Sequence, residues 1–294
     1  MLITYGSSSE ALARSVAKGT NIPIVESTRR LFPDGEQYVQ VSGDLSGEDV
    51  VLIHSFALRP DALLVEYFLL VDAIKSAGCR SLTVVIPYFA YLRQDSRFKM
   101  GEPLSAKVIA SLIESPKIDR IITIDAHLHR FRSLSDLFRT PSLNLSAMPL
   151  LADYYLKNFG NLNTVVVGPD EESEQWVRVV AERLSSPYTI MEKVRLGDRE
   201  VSVRGSTSVR GKTVVLVDDI ISTGMTLVKV IRMLLDEGAK KVDALVTHAL
   251  MVEDSYQKLK EAGLDNLIST DTVPSPHSKV SVAPLISRII KSLS

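Results

Sequence analysis

Val214-Val215-Leu216-Val217-Asp218-Asp219-Ile220-Ile221-Ser222-Thr223-Gly224-Met225-Thr226 reads as a buried strand that ends in two acids and turns into a helix. Continuous apolar strands of this kind, buried on both faces, are what a parallel sheet covered by helices requires. In open α/β sheets, ligands bind outside the carboxyl ends of such strands. Backbone N–H groups at the start of the helix, with the hydroxyls of Ser222, Thr223 and Thr226, suit a phosphate. Gly224 lets the backbone approach it closely. The carboxylates of Asp218 and Asp219 would repel that phosphate unless they hold sugar hydroxyls or a hydrated cation. A phosphorylated sugar held with Mg2+ reconciles both halves of the stretch. A capped helix after an acidic strand end explains neither the adjacent acids nor the three clustered hydroxyls. Without a Gly-x-x-x-x-Gly-Lys run, a Walker-type ATPase is not expected.

Outward from this stretch, short Val/Ile-rich runs alternate with amphipathic stretches of helical length. The pattern predicts strands at 49–54, 81–87, 120–125, 164–167, 213–217 and 242–247. It predicts helices at 61–77, 105–114, 149–159, 173–184, 227–236 and 284–293. Strand and helix alternate throughout, so the fold class is α/β, doubly wound. A weak internal echo pairs Ile74-Lys75-Ser76-Ala77-Gly78 before Ser81-Leu82-Thr83-Val84-Val85 with Leu235-Asp236-Glu237-Gly238 before Val242-Asp243-Ala244-Leu245-Val246. Each is a helix closed by glycine and followed by a buried strand. With 294 residues, the echo suggests two similar domains, 1–146 and 147–294, with the last helix amphipathic and fit to pack on either.

Composition narrows the partners. Lys and Arg total 34 against 35 Asp and Glu, a formal net charge of −1, so no general nucleic-acid or membrane-surface binding is expected. Any anion site is local. The single cysteine, Cys79, excludes an intrachain disulfide and a Cys-based zinc cluster, and fits a reducing cytoplasm. Met1-Leu2-Ile3-Thr4-Tyr5 has no signal-peptide pattern. The longest apolar run, 62–74, is broken by Glu66 and Asp72 and is too short for a bilayer. A soluble cytoplasmic protein is expected.

Val-Asp-Asp-Ile-Ile-Ser-Thr-Gly-Met-Thr is similar to the phosphoribosyl-diphosphate signature shared by phosphoribosyltransferases and ribose-phosphate diphosphokinases. The resemblance implies two phosphoribosyltransferase-like domains, each a mostly parallel sheet flanked by helices. It also implies a ribose 5-phosphate site at Asp218, Asp219, Ser222, Thr223, Gly224, Met225 and Thr226. Four further stretches select the diphosphokinases. Phe32-Pro33-Asp34-Gly35-Glu36 resembles their N-terminal motif, in which Phe32, Asp34, Gly35 and Glu36 would hold the ATP base. An aromatic face stacks on adenine, and carboxylates accept from its exocyclic amine. In the family this loop serves the neighbouring subunit, which implies a homo-oligomer, a dimer at minimum. Read alone, Pro-Asp-Gly is a turn between strands.

Pro87-Tyr88-Phe89-Ala90-Tyr91-Leu92-Arg93-Gln94-Asp95 resembles the family segment in which Arg93 and Gln94 would bind ATP; the planar fork of Arg pairs with phosphate or stacks on a base. Met100-Gly101 stands where bacterial and animal members carry Ser-Arg, a pattern closer to archaeal members, so their phosphate and ADP site is not carried over. Asp125-Ala126-His127 matches the family's Asp-x-His and makes His127 a metal ligand by resemblance, although Mg2+ prefers oxygen. Pro169-Asp170-Glu171-Glu172-Ser173 corresponds to a Pro-Asp-x-Gly-Gly turn and makes Asp170 the second metal contact. Glu172 and Ser173 replace the glycine pair and suit a helix start. Lys193-Val194-Arg195 matches the catalytic flexible loop, with Arg195 also on ribose 5-phosphate. Residues two apart in a strand point the same way, so both cations would converge on one charge.

The resemblance thus implies transfer of the β,γ-diphosphate of ATP to O1 of ribose 5-phosphate, with Mg2+ as cofactor. The alternatives are a phosphoribosyltransferase, a silent synthetase-associated regulator, or an RNA-binding regulator on the same fold. Length and the motifs of the first half oppose the first, intact Lys193, Arg195, His127 and Asp170 the second, and near-zero net charge the third.

Overall fold

The computed structural model describes residues 1–191 and 208–293. It divides into two compact units, Met1–Leu145 with Ser281–Ser294, and Ser146–Val280. In the first, β1 (Leu2–Tyr5), α1 (Glu10–Thr20), β2 (Glu26–Leu31), β3 (Gln37–Ser42), β4 (Asp49–Ile53) and α2 (Pro60–Ser76) are followed by β5 (Ser81–Ile86), α3 (Ser105–Glu114), β6 (Arg120–Ile124) and β7 (Ser142–Leu145). The second holds α4 (Met148–Phe159), β8 (Thr164–Gly168), α5 (Glu174–Leu184), β9 (Tyr188–Ile190), β10 (Thr213–Ile221), α6 (Met225–Asp236), β11 (Lys241–Ala249), α7 (Ser255–Glu261), β12 (Asn266–Thr270) and β13 (Ser278–Val280). The final helix, α8 (Ala283–Lys291), belongs with the first unit, where it packs on α1.

Both main sheets are parallel. Their orders are β1-β4-β5-β6-β7 and β9-β8-β10-β11-β12-β13. An isolated parallel bridge from Ile24 to Ile3 extends the first sheet beyond β1, at the position that β9 takes in the second. The weak echo in sequence is therefore a repeat of topology. In each unit a helix that follows the last strand of one sheet packs on the first helix of a repeat, α8 on α1 and α4 on α5.

Strand periodicity builds the core. Val214 and Leu216 point into a cluster with Leu227, Ile231 and Leu234 of α6 and Leu259 of α7. Val215 and Val217 point the other way, among Met148, Leu151 and Tyr155 of α4 and Trp176, Val177 and Val180 of α5. Alternate side chains bury on opposite faces, so both faces need helices and the strands read as unbroken apolar runs. Below the second sheet, Asp243 accepts from Tyr155 Oη at 2.7 Å, Lys241 Nζ at 2.9 Å and Asn266 Nδ2 at 2.7 Å, so its buried charge is fully satisfied.

The ribbon β2–β3 stands apart as an antiparallel two-stranded sheet. Its strands, Glu-Ser-Thr-Arg-Arg-Leu and Gln-Tyr-Val-Gln-Val-Ser, are half-buried at most, and the hydrophobic pattern of the sequence does not predict them.

Close packing at the end of β8 is testable. A Cβ on Gly168 would lie 2.3 Å from Ser173 Oγ, 2.8 Å from Ile190 Cδ1 and 2.9 Å from Val177 Cγ2. Ser173 is already fixed by its hydroxyl bond to the Asp170 carbonyl at 2.6 Å. Gly168→Ala is expected to lower stability by about 1–3 kcal/mol in urea unfolding, as overpacking typically does; an unchanged midpoint would show that this turn is looser than described.

Candidate active site

The second unit's site begins with a mismatch of strand lengths. β10 pairs with β8 only as far as Leu216 opposite Val167, yet it continues along β11 through Asp218 opposite Val246 to Ile221 opposite Ala249. The sequence places the strand end at Val217; pairing with β11 carries it four residues further, through both acids. Asp218 and Asp219 therefore sit on ordered strand, Asp219 buried at 3% exposure and Asp218 half-buried. The Asp219 N–H donates to Asp218 Oδ1 at 3.0 Å.

β8 stops at Gly168 and the chain turns through Pro169 to Asp170. The Asp170 carbonyl accepts the Ser173 N–H at 3.2 Å and its hydroxyl at 2.6 Å. A single 3-10 turn, Glu171–Ser173, comes first; α5 proper starts at Glu174, one residue after the expected Ser173. Burial, then the neighbouring Asp219 and Asp170 carboxylates, hold the Asp218 carboxyl well above its ordinary value. Asp170 and Asp218 thus act on each other across the ends of two strands of one sheet. Crowded carboxylates of this sort suit a hard divalent cation, which neutralises them through oxygen ligands. Among the described residues, no group of three or more His, Cys, Asp or Glu could enclose a metal ion. Such a donor set fits Mg2+, which keeps several waters and completes its shell with substrate phosphates.

Directly after β10, Ser222 and Thr223 lead to Gly224 at φ 71° and ψ 0°. This left-handed conformation is strained for any residue with a Cβ. Met225 then opens α6 with no side-chain cap and no acid in its first turn. Its first N–H groups, with the positive end of the helix dipole, face an anion without competition from a capping side chain. Thr223, Met225 and Thr226 are exposed and Ser222 is half-buried. The structure thus gathers Asp170, Asp218, Asp219 and the loop from Ser222 to Thr226 at one sheet edge.

In the first unit, the loops after β5 and β6 carry the other expected residues. Tyr88 and Phe89 are buried, with Phe89 stacked on Phe138 at 5.6 Å. Arg93 is exposed, and no partner holds its guanidinium among the described residues. The Gln94 amide oxygen accepts from the Ser105 hydroxyl, leaving its NH2 group for a ligand. Asp95 is buried and pairs with Arg130 Nε at 3.3 Å, while Arg130 lies over the Phe98 ring at 5.8 Å. That pair ties the Arg93 loop to the loop after β6. There Asp125 is buried at φ 36°, its N–H donating to the Leu145 carbonyl at 2.7 Å. His127 is half-exposed, with its ring centroid 6.4 Å from that of His129.

The loop of Phe32, Asp34, Gly35 and Glu36 is the tip of the β2–β3 ribbon, closed by Phe32 N–H to the Glu36 carbonyl at 2.8 Å and Gly35 N–H to the Phe32 carbonyl at 2.9 Å. The turn reading and the resemblance therefore describe the same feature. The ribbon is pinned by Glu66 of α2, which is 1% exposed. Glu66 accepts the Ser7 N–H and hydroxyl, each at 2.6 Å, and pairs with Arg29 Nε at 3.1 Å. Arg29 Nε also donates to Gln37 Oε1 at 2.8 Å, and Gln37 Nε2 to the Ala62 carbonyl at 2.7 Å. Arg29, Glu66 and Arg130 were not identified from the sequence. Their partners lie tens of residues away and no local motif marks them. Lys193 and Arg195 fall outside the described residues.

Known proteins match this arrangement along the whole chain. The profile of the N-terminal domain of ribose phosphate pyrophosphokinase matches residues 1–116, and that of the phosphoribosyl transferase domain matches 133–281. A ribose-phosphate pyrophosphokinase of Methanopyrus kandleri is 38% identical over 100% of both chains. One of Methanothermobacter thermautotrophicus is 39% identical over 97% of this chain and 98% of its own. The crystal structure of a phosphoribosylpyrophosphate synthetase from Mycobacterium smegmatis superposes with a TM-score of 0.88 at 29% identity, covering 99% of this chain and 98% of its own. Matches through both halves favour the diphosphokinase reading over the transferase and regulator alternatives. The chain belongs to the ribose-phosphate pyrophosphokinase family.

Proposed function

We propose that this chain transfers the β,γ-diphosphate of ATP to the anomeric hydroxyl of ribose 5-phosphate, giving phosphoribosyl diphosphate and AMP. One observation carries the reading. The crowded carboxylates of Asp170 and Asp218 lie on the sheet edge where Gly224 and the uncapped start of α6 offer N–H groups to a phosphate. A phosphorylated pentose needs both, an anion cradle for its phosphate and carboxylates for its ring hydroxyls. Ser222, Thr223, Gly224, Met225 and Thr226 hold the phosphate, and Asp218 and Asp219 the ring hydroxyls. Arg93 and Gln94 bind ATP, and Phe32, Asp34, Gly35 and Glu36 bind its base in a neighbouring subunit. This requires at least a homodimer.

The anomeric oxygen attacks the β-phosphorus in line. The bond from that phosphorus to the bridging oxygen of AMP breaks, and the hydroxyl proton leaves to solvent. Catalysis of this transfer is positioning plus stabilisation of charge on the phosphoryl oxygens. Lys193 and Arg195 bring cations to those oxygens. Asp170 would contact Mg2+, which supplies charge neutralisation at the transferring group when bound, and the resemblance gives His127 the same role. Among the described residues, no helix is long and apolar enough to cross a membrane, and the proposed setting is the cytoplasm.

Protein mixed with Mg2+, ATP and ribose 5-phosphate is expected to release AMP in step with phosphoribosyl diphosphate. Absence of AMP without an added nucleobase would return the reading to a transferase or a regulator. Lys193→Ala is expected to lower kcat by on the order of 10²–10³, the usual loss of one transition-state contact, with both KM values nearly unchanged. A large rise in KM with kcat intact would refute its role.

The carboxylate crowding has its own consequence. With the Asp218 carboxyl raised, the folded metal-free protein holds a proton that the unfolded chain releases. The stability this proton confers is fully present below the unfolded carboxyl's value and is lost as pH rises from there to the raised folded value. Asp218→Asn should raise the Tm of the metal-free protein at mildly alkaline pH and flatten this dependence, while Mg2+ should raise Tm more in the wild type than in the variant. Calorimetry with and without chelator reads both; a variant less stable than wild type in chelator would count against electrostatic crowding.

A further inference from the structure

The ribbon that carries Phe32 has two unlike faces. Side chains alternate along a strand, so Arg29, Leu31, Gln37 and Val39 share one face, the one pinned through Arg29 and Gln37. Arg30 and Phe32 project from the other, and Arg30 lies directly opposite Tyr38 in the register. On that outer face the Arg30 guanidinium carbon sits 4.5 Å from the centroid of Phe32 and 4.4 Å from that of Tyr38. The two rings stand at 89°, with centroids 6.3 Å apart. Arg30 is exposed, and no carboxylate pairs with it among the described residues. Its charge is held by two aromatic faces instead of an acid.

We propose that Arg30 is a positioning residue for the nucleotide base, acting through Phe32 with Tyr38 as its backstop. The inference rests on the reading of the Phe32 loop as the base site. A guanidinium over one face of a phenyl ring is attracted by the ring quadrupole, and a second ring at right angles fixes the cation from the side. One face of Phe32 is thereby occupied and its tilt is set. The opposite face is left for a flat aromatic ligand, and Phe32 remains 37% exposed to receive it. A ring that is already oriented loses less freedom when a purine stacks on it, so affinity rises without any new contact to the ligand. Both Arg30 and the rings lie on a surface ribbon, so their substitution leaves the core clusters of either unit untouched.

The test uses the full chain with Mg2+, reading ATP affinity by calorimetry and both KM values in the steady state. Arg30→Ala is expected to weaken ATP about two- to tenfold, the scale of the ordering cost of one side chain immobilised on binding. The KM for ribose 5-phosphate, kcat at saturating ATP and the Tm should stay as in wild type. Arg30→Lys should recover most of the affinity, because an ammonium also sits on aromatic faces. Phe32→Ala should weaken ATP at least as much, and adding Arg30→Ala to it should change nothing further, since a residue that acts through Phe32 is silent without it. If Phe32→Ala weakens ATP and Arg30→Ala does not, Arg30 has no such role and the base-site reading stands. If neither variant moves ATP affinity, the reading of the loop fails and this inference with it. An equal further loss in the Phe32→Ala background would make Arg30 a direct ligand and overturn positioning, and a fall in Tm with both KM values changed would make it merely structural.

Discussion

Burial of the Asp218 carboxyl, close to the carboxylates of Asp219 and Asp170, is the constraint around which the second unit's site is arranged. Burial first, then the neighbouring Asp219 and Asp170 carboxylates, raise the Asp218 carboxyl, so its charged form is unfavourable there without a cation. The backbone nevertheless enforces that placement. β8 ends at Gly168, where neighbouring side chains leave no room for a Cβ, and β10 runs on beside β11. The offset between the two strands sets Asp170 near Asp218, and the same overrun delivers the chain to Gly224 and the open start of α6. Strand length, turn and helix origin together bring these carboxylates and the uncapped helix start to one end of the sheet.

The duplicated topology makes the difference between the units instructive. Both sheets share one strand order, and β4 occupies in the first the place of β10 in the second. After β4 the chain passes through Phe56 and Ala57, both buried, to Leu58 at φ 69° before α2 begins. The left-handed residue lies one position earlier than Gly224 does before α6, with Arg59 at φ −132° directly preceding α2, and it carries a side chain. The first unit presents exposed guanidinium instead, at Arg93 and at Arg130, the latter paired with Asp95. One architecture thus supports a backbone cradle in one repeat and side-chain cations in the other.

The fold was legible where burial on two faces left an unbroken apolar run, as at 81–87 and 120–125, and in the helices with clear periodicity. It was not legible where pairing decided the matter. Asp218 and Asp219 end the apolar run, yet β11 carries the strand to Ile221. β2 and β3 are polar strands held by specific bonds, so no hydrophobic period announces them. Among candidate site residues, the 218–226 stretch stands out in sequence because its chemistry is local, with adjacent acids, hydroxyls and a glycine within a few positions, whereas Asp170 was marked only by the resemblance. Arg29, Arg30 and Arg130 were not, since a cation's role depends on what the fold sets beside it. Glu66 is the clearest case. In sequence it is only an interruption of an apolar helix, which argues against a membrane span; in the structure it is the charge that the ribbon docks onto.

That docking explains how a two-stranded ribbon, marginal by itself in water, can hold the loop at its tip in place. A buried carboxylate is unfavourable unless its oxygens are satisfied, and Glu66 has three donors to satisfy it, from Ser7 and Arg29. Such a group gives little net stability compared with an apolar replacement, but it accepts only one partner geometry, so it sets where the ribbon sits. Arg29 in turn orients Gln37, whose amide reaches the Ala62 carbonyl on the same helix. Leu31 opposite Gln37 is the last paired position before the turn at Phe32. With the inner face fixed that close to the tip, the aromatic residues of the outer face are not needed to dock the ribbon. The ribbon is therefore held by the polar bonds of Arg29 and Gln37 on its inner face, and its docking does not depend on Phe32 or Tyr38 of the outer face.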